Sequence, residues 1–219
     1  MDVFVLITSI VMPWLIWITT VSLGIVYNEY TDNKKTKLYL PLTPFDNALR
    51  TIGPFLPLAP LAMRALGETF AALEQRKIKG STRRKTHIVS SVIFFGGVQT
   101  VRLGVYLLLV KVVFPKSKGT VYPFSDHIFL GLAVSACAQF EAVRSLASFT
   151  EIKRQRRSIT TVAIVLWALA ACCALALATL CALDAHYTAR YFHAPIDSAF
   201  AMVAGAVLFH VPLLVSLPN

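Results

Sequence analysis

The stretch Ile159–Leu183, ITTVAIVLWALAACCALALATLCAL, runs for 25 residues without one charged side chain. As a helix it rises about 37 Å at roughly 1.5 Å per residue, more than the ~30 Å hydrocarbon core of a bilayer. It reads as a transmembrane helix, and both flanks are polar: EIKRQRRS (Glu151–Ser158) before it and DAHYTARYFH (Asp184–His193) after it. Outward from it, five more apolar segments stand out: Val3–Tyr27, Ile52–Leu73, Ile88–Phe114, Ile128–Phe149 and Ala199–Leu217. The chain is 56% hydrophobic and 15% charged, with a mean hydropathy of +0.65, so water is not its main solvent. The expected fold is an all-α integral membrane protein, about six transmembrane helices in one bundle, forming a single polytopic membrane domain over residues 1–219.

Ile52–Leu73 is the least apolar of the six, because Pro54, Pro57 and Pro60 interrupt it and Arg64 and Glu68 lie inside it. The two charges are four residues apart, a spacing that predicts a pair on one helix face. A full crossing or a re-entrant, interfacial course both fit this composition. Met1–Tyr27 has no basic leader and an apolar run too long for a signal peptide, so it reads as a retained span. The cysteines (Cys137, Cys172, Cys173, Cys181) fall inside apolar stretches and read as small buried hydrophobes, not as a disulfide framework.

The net charge of +10 is concentrated in short segments between apolar runs. No basic domain is left to follow a phosphate backbone, which argues against nucleic acid as a partner. The strongest basic runs are Glu74–His87 (EQRKIKGSTRRKTH) and Glu151–Ser158, with two spans between them, so they share a side. The excess of lysine and arginine predicts that this side is cytoplasmic. Segments 28–51, 115–127 and 184–198 then face the other way, toward the lumen if the membrane is the endoplasmic reticulum.

Polar residues capable of chemistry gather where the fourth span begins (Tyr122–His127, YPFSDH) and where the fifth ends (Asp184–His193). Two histidines meeting at a bilayer surface can act as nucleophile and general acid, since imidazole titrates near neutral pH. If the fifth helix continues to His193, then His186, Arg190 and His193 share one face, and an arginine there suits a phosphate. The same residue types also populate ordinary membrane interfaces, where their polar tips reach water. Both readings stay open on spacing alone. His87 and His210 read as structural.

Thr188-Ala189-Arg190-Tyr191-Phe192-His193, followed by Phe200 and Gly205, resembles the late signature of the fat-storage-inducing transmembrane (FITM) family, a TA-x-YFH run before a final span rich in small residues. Ser125-Asp126-His127 resembles its other signature, a Ser-Gly-His opening the fourth span, with Asp126 standing where the family has glycine. Glu141 matches an acidic residue within that span, and Arg83-Arg84 a basic pair before the third. The resemblance covers about Arg83 to Gly205. His193 and Asp197 also reproduce the HxxxD spacing of the lipid phosphate phosphatases, the superfamily to which that family is related.

The resemblance implies a lipid-phosphatase-like core and a hydrolase acting on phosphoric anhydride bonds, an acyl-CoA diphosphatase. Such an enzyme cleaves fatty acyl-CoA to acyl 4′-phosphopantetheine and adenosine 3′,5′-bisphosphate, supporting lipid-droplet formation and lipid homeostasis in the endoplasmic reticulum. His193 would be the nucleophile and His127 the acid, with no metal or other cofactor required. Ser125, Asp126, Thr188, Arg190, Tyr191, Asp197 and Glu141 would support the site or bind substrate, with Lys116 and Lys118 as further candidates for phosphoryl charge. Asp126 fits equally well as a helix cap, and Glu141 and Arg144 as a structural pair. The implied partners are membrane lipids and fatty acyl-CoA. Two alternatives keep the fold: a phosphatase of phosphatidate or sphingoid phosphates, and a non-catalytic protein binding diacylglycerol or triacylglycerol.

Overall fold

A computed structural model describes residues 3–29, 43–79, 88–113, 124–155 and 161–217. The helices are α1 (Val3–Val26), α2 (Thr43–Ile52), α3 (Leu58–Lys79), α4 (Ile88–Leu107), α5 (Asp126–Gln155), α6 (Thr161–Tyr191) and α7 (Pro195–Val215). No strand occurs among the described residues. Among the described residues five helices, α1, α4, α5, α6 and α7, and not the expected six, are long and apolar enough to cross a membrane; α3, from the second apolar segment, is not among them.

Burial sorts these helices into layers. In α5 94% of the apolar window is buried, against 11% in α4, so α5 is the central post and α4 an outer helix presenting Val89, Val92, Ile93, Val101 and Leu103 to lipid. Helix α6 packs against α5, α1 and α3. Its buried face is a column of small residues (Ala163, Ala170, Ala174, Ala178, Ala182, Ala185, Ala189) at helical spacing, which lets neighbouring backbones come close where no hydrophobic drive separates helix from lipid. Trp17 of α1 reaches across to α5, its Nε1 donating to Ser135 Oγ at 3.0 Å. Gln139 Nε2 donates to the same hydroxyl at 3.0 Å and stands beside the buried His210 of α7. His210 thus belongs to the core, as the sequence leads one to expect. Its π-helical stretch ends two residues before Pro212, and that at Ile7–Val11 ends likewise before Pro13. Proline lacks the N–H for an i→i−4 bond and its ring crowds that carbonyl, and a widened turn relieves the clash.

Gly24 sets the α1–α6 approach. A Cβ there would stand 2.6 Å from the His186 carbonyl oxygen and 3.1 Å from Ala189 Cβ, and a backbone atom cannot swing aside. Gly24→Leu is therefore expected to cost about 1–3 kcal/mol by overpacking. The expected readout is a lower unfolding midpoint in detergent. Gly96→Leu on the outer face of α4, where a Cβ meets nothing within 4 Å, should leave the midpoint unchanged.

The proline-rich second segment resolves into a 3-10 turn at Gly53–Phe55 and the α3 helix from Leu58, which places Pro60 in the first turn, where its missing N–H costs nothing. Gly53 lies against Leu130 and Arg64 against Glu141, eleven residues further along in each segment. This segment therefore runs beside α5 through the same depth and is not confined to one surface. Arg64 is completely buried. It pairs with Glu68, as the spacing predicts, and donates to Glu141 Oε2 and Ser91 Oγ, each at 2.7 Å.

The ends of α3 and α5 and the starts of α4 and α6, which the two basic sequence segments join in chain order, lie at one pole of the bundle. Val5, Phe140, Val143 and Leu213 cluster toward that pole. The starts of α5 and α7 and the ends of α1 and α6 lie at the other. Arg83, Arg84, His87, Lys116 and Lys118 fall outside the described residues.

Candidate functional site at the α5–α6 pole

Three helices deliver one side chain each to a single point. His127 enters at the second residue of α5, Asp184 from α6 just past its long uncharged run, and Asp46 from α2. The His127 ring meets Asp184 Oδ2 at 2.5 Å and Asp46 Oδ1 at 2.8 Å, both through Nε2. Asp184 is 4% exposed, so its carboxylate has exchanged water for the imidazole. Asp46 is held from the other side by Arg50, four residues on, with Nε donating to Oδ1 at 3.0 Å. Helix α2 carries these two one turn apart, flanking the fully buried Leu49, so its polar pair and its apolar anchor both turn toward the bundle.

His193 occupies the turn between α6 and α7. Pro195 forces Ala194 into the extended region (φ −60°, ψ 149°), which stops α6 and lets α7 begin with proline in its first turn. Asn28, just past α1, fixes this turn: its Nδ2 donates to the carbonyls of Ala189 at 2.6 Å and His193 at 2.9 Å. The His193 ring is half-buried and its Nδ1 has no hydrogen-bond partner among the described residues. Burial, together with the nearby positive charges of His127 and Arg50, pushes its pKa down from 6.5 to about 4. At neutral pH the ring is uncharged and a nitrogen lone pair is available.

The depressed pKa carries a stability signature. Above pH 6.5 the ring is neutral folded and unfolded, and its contribution is complete. As the pH falls toward 4 the unfolded chain takes up the proton first, and stability declines. His193→Gln is expected to flatten that part of the unfolding-midpoint profile, as read by thermal scans across the window.

The remaining sequence candidates separate. Ser125 caps α5: its buried Oγ accepts the Ile128 N–H at 3.4 Å. Asp126 follows in the first turn and turns toward Arg102 of α4, at 3.8 Å. Thr188 is buried, and its carbonyl accepts the Phe192 N–H at 3.1 Å, closing the end of α6. Helix α6 ends at Tyr191, so His193 leaves the face that His186 and Arg190 would share with it on a continuous helix. His186 Nδ1 faces the Thr20 carbonyl at 2.7 Å, within hydrogen-bond reach. Arg190 pairs with Glu29 and lies 5.0 Å over the Tyr191 ring. Its guanidinium is therefore already engaged, and Arg50 is the arginine whose charge reaches His193. Asp197 starts α7 as a buried first-turn carboxylate and makes no hydrogen bond to His193. The carboxylates that hold a histidine here are Asp184 and Asp46, on His127. Glu141 belongs to the Arg64 cluster, fourteen residues and about 21 Å along α5 from His127.

Asp46 and Arg50 were hidden in a segment that hydropathy alone reads as a loop. Their i, i+4 spacing around Leu49 is the signal that could have found them. Asp184 stood in the polar run, but its contact with His127 depends on a helix pairing that no local pattern encodes. The oxygens of Asp46 and Asp184 and the Nε2 of His127 all lie within 4.8 Å of one another, a set able to ligate a metal ion. No family model, curated protein or solved structure matches the chain.

Proposed function

We propose that the chain is an acyl-CoA diphosphatase of the endoplasmic reticulum membrane, its site at the lumenal surface, cleaving fatty acyl-CoA to acyl 4′-phosphopantetheine and adenosine 3′,5′-bisphosphate. The observation that carries this reading is the pairing of two unlike histidines at one pole. His193 is neutral, with an unpartnered ring nitrogen, and His127 is anchored through Nε2 by two carboxylates. The neutral ring suits a nucleophile; the anchored one, oriented by aspartate, suits a proton donor through its other nitrogen. In the reaction, the His193 lone pair attacks one phosphorus of the diphosphate and the bridging P–O bond breaks. The departing phosphate takes a proton from His127, and water then cleaves the P–N bond and restores the enzyme. Arg50 stands where it can offset phosphoryl charge. The apolar outer surface of the helices offers the acyl chain a hydrocarbon environment. The resemblance of the Thr188–His193 and Ser125–His127 runs to the FITM signatures supports the substrate class, and the basic segments at the opposite pole support the orientation.

The test is direct: purified full-length protein in detergent or liposomes is given oleoyl-CoA and the products are identified by mass spectrometry. The two named products are expected in equal amounts. Release of inorganic phosphate from phosphatidate, with oleoyl-CoA untouched, would transfer the site to lipid phosphates. Inertness toward both, with diacylglycerol or triacylglycerol bound, would make the protein a lipid-binding one.

A further inference from the structure

The contact of His127 with its two carboxylates is over-subscribed. Nε2 carries at most one proton, and one N–H shared between two oxygens aligns well with at most one of them, yet Asp184 Oδ2 stands 2.5 Å and Asp46 Oδ1 2.8 Å from it. Both oxygens are acceptors. Three electron-pair donors from α2, α5 and α6, distant in sequence, thus converge on one point. A divalent cation accepts all three at once where a proton accepts one well.

We propose that Asp46, His127 and Asp184 form a binding site for a first-row divalent cation of the zinc type, and that the ion inhibits the site by occupying the nitrogen that anchors His127. The inhibitory consequence rests on the proposed hydrolase; the binding does not. One imidazole nitrogen with two carboxylate oxygens is a donor set for zinc, cobalt or manganese, whereas calcium and magnesium prefer oxygen alone. Bonds of about 2.0–2.2 Å in a tetrahedron need donor atoms about 3.3 Å apart, so Nε2 must part by about 0.8 Å from Asp184 Oδ2, now at 2.5 Å, and by about 0.5 Å from Asp46 Oδ1, now at 2.8 Å. Asp46 can supply the second of these movements, since its side chain is 21% exposed and its helix is a single short element at the surface; the first requires the His127 ring or the Asp184 carboxylate to rotate. Arg50 now shares Asp46 Oδ1 and can keep the other oxygen when the ion takes the first. Two carboxylates and a neutral imidazole balance a dication, which a half-buried site favours over an uncompensated charge. The open side beside Asp46 leaves a fourth position to water.

The experiment titrates the full-length protein, stripped by chelator and held in detergent, with Co²⁺. One equivalent is expected to bind with the visible bands of four- or five-coordinate cobalt, and Zn²⁺ is expected to bleach them. Asp46→Asn and Asp184→Asn should each weaken binding at least about tenfold, the least that loss of even a second-shell partner commonly costs. Glu29→Gln, at the same pole but outside the cluster, should not change it. If either aspartate variant fails to fold, the wild-type spectrum decides alone. Absent bands, bands unchanged in both aspartate variants, or thiolate charge-transfer absorption placing the ion on cysteine would each overturn the site. Zn²⁺ should also stop oleoyl-CoA hydrolysis at the concentration that saturates the cobalt site, and acceleration would overturn the inhibitory role. Cobalt binding as described, in a protein that hydrolyses nothing, would uphold the metal site and sink the hydrolase.

Discussion

Arg64→Met is expected to lower the unfolding midpoint of the detergent-solubilised protein by on the order of 10 °C, or to prevent its recovery as a single species. Arg64 is 0% exposed and its guanidinium satisfies Glu68, Glu141 and Ser91 together. Removing it strands two carboxylates inside an apolar bundle, a change that costs about 3–5 kcal/mol where a buried ion pair loses one partner. Net stability is only about 5–15 kcal/mol for most folded domains, so this is a large share. The same reasoning predicts a rescue. Arg64→Met combined with Glu68→Met removes one charge of each sign and leaves Glu141 near Arg144, whose buried Nε has no hydrogen-bond partner among the described residues. That double variant should recover most of the lost midpoint, since a buried pair replaced by apolar groups is often neutral or better. Equal midpoints for the single variant and the wild type would mean that the cluster admits enough water to solvate its carboxylates.

This cluster also explains how the least apolar segment enters the bundle. Hydropathy alone leaves the course of Ile52–Leu73 open, because it scores Arg64 and Glu68 as charges without knowing what they meet. The i, i+4 pairing of the two is legible in sequence; the third and fourth members, Glu141 and Ser91, come from α5 and α4 and are not. The long apolar runs were readable because a span must satisfy its own backbone within one helix, a rule that acts locally. So was the gathering of histidines at one pole, since it follows from alternation of spans. The roles inside that pole were harder to read. The HxxxD spacing points to Asp197 as the partner of His193, but Pro195 begins a new helix between them and turns the Asp197 carboxylate into a first-turn residue of α7. The aspartate that does meet a ring, Asp184, lies fifty-seven residues from His127. Short-range spacing carries no information about that pairing, and Asp46 arrives from a helix too short and too polar to register as a span.

The contrast between Asp184 and Asp197 gives the sharpest chemical expectation. His193→Ala should reduce oleoyl-CoA hydrolysis to background and abolish any acid-labile phosphohistidine, because the ring it removes is uncharged at neutral pH and its Nδ1 has no hydrogen-bond partner among the described residues. Asp184→Asn should lower kcat by on the order of 10³-fold, in keeping with an aspartate that sets the tautomer and orientation of a catalytic imidazole. Asparagine preserves the shape but can offer its N–H to Nε2 and so select the wrong tautomer of His127. Asp197→Asn should change the rate by only a few fold, since that carboxylate makes no hydrogen bond to His193. Groups that act as one unit fail together, so Asp184→Asn added to His193→Ala should cause no further loss. The comparison of Asp184→Asn with Asp197→Asn decides the assignment. Should Asp197→Asn be the crippling change and Asp184→Asn the mild one, the catalytic imidazole would be oriented from α7, and the His127 triad would be a structural clasp between α2, α5 and α6.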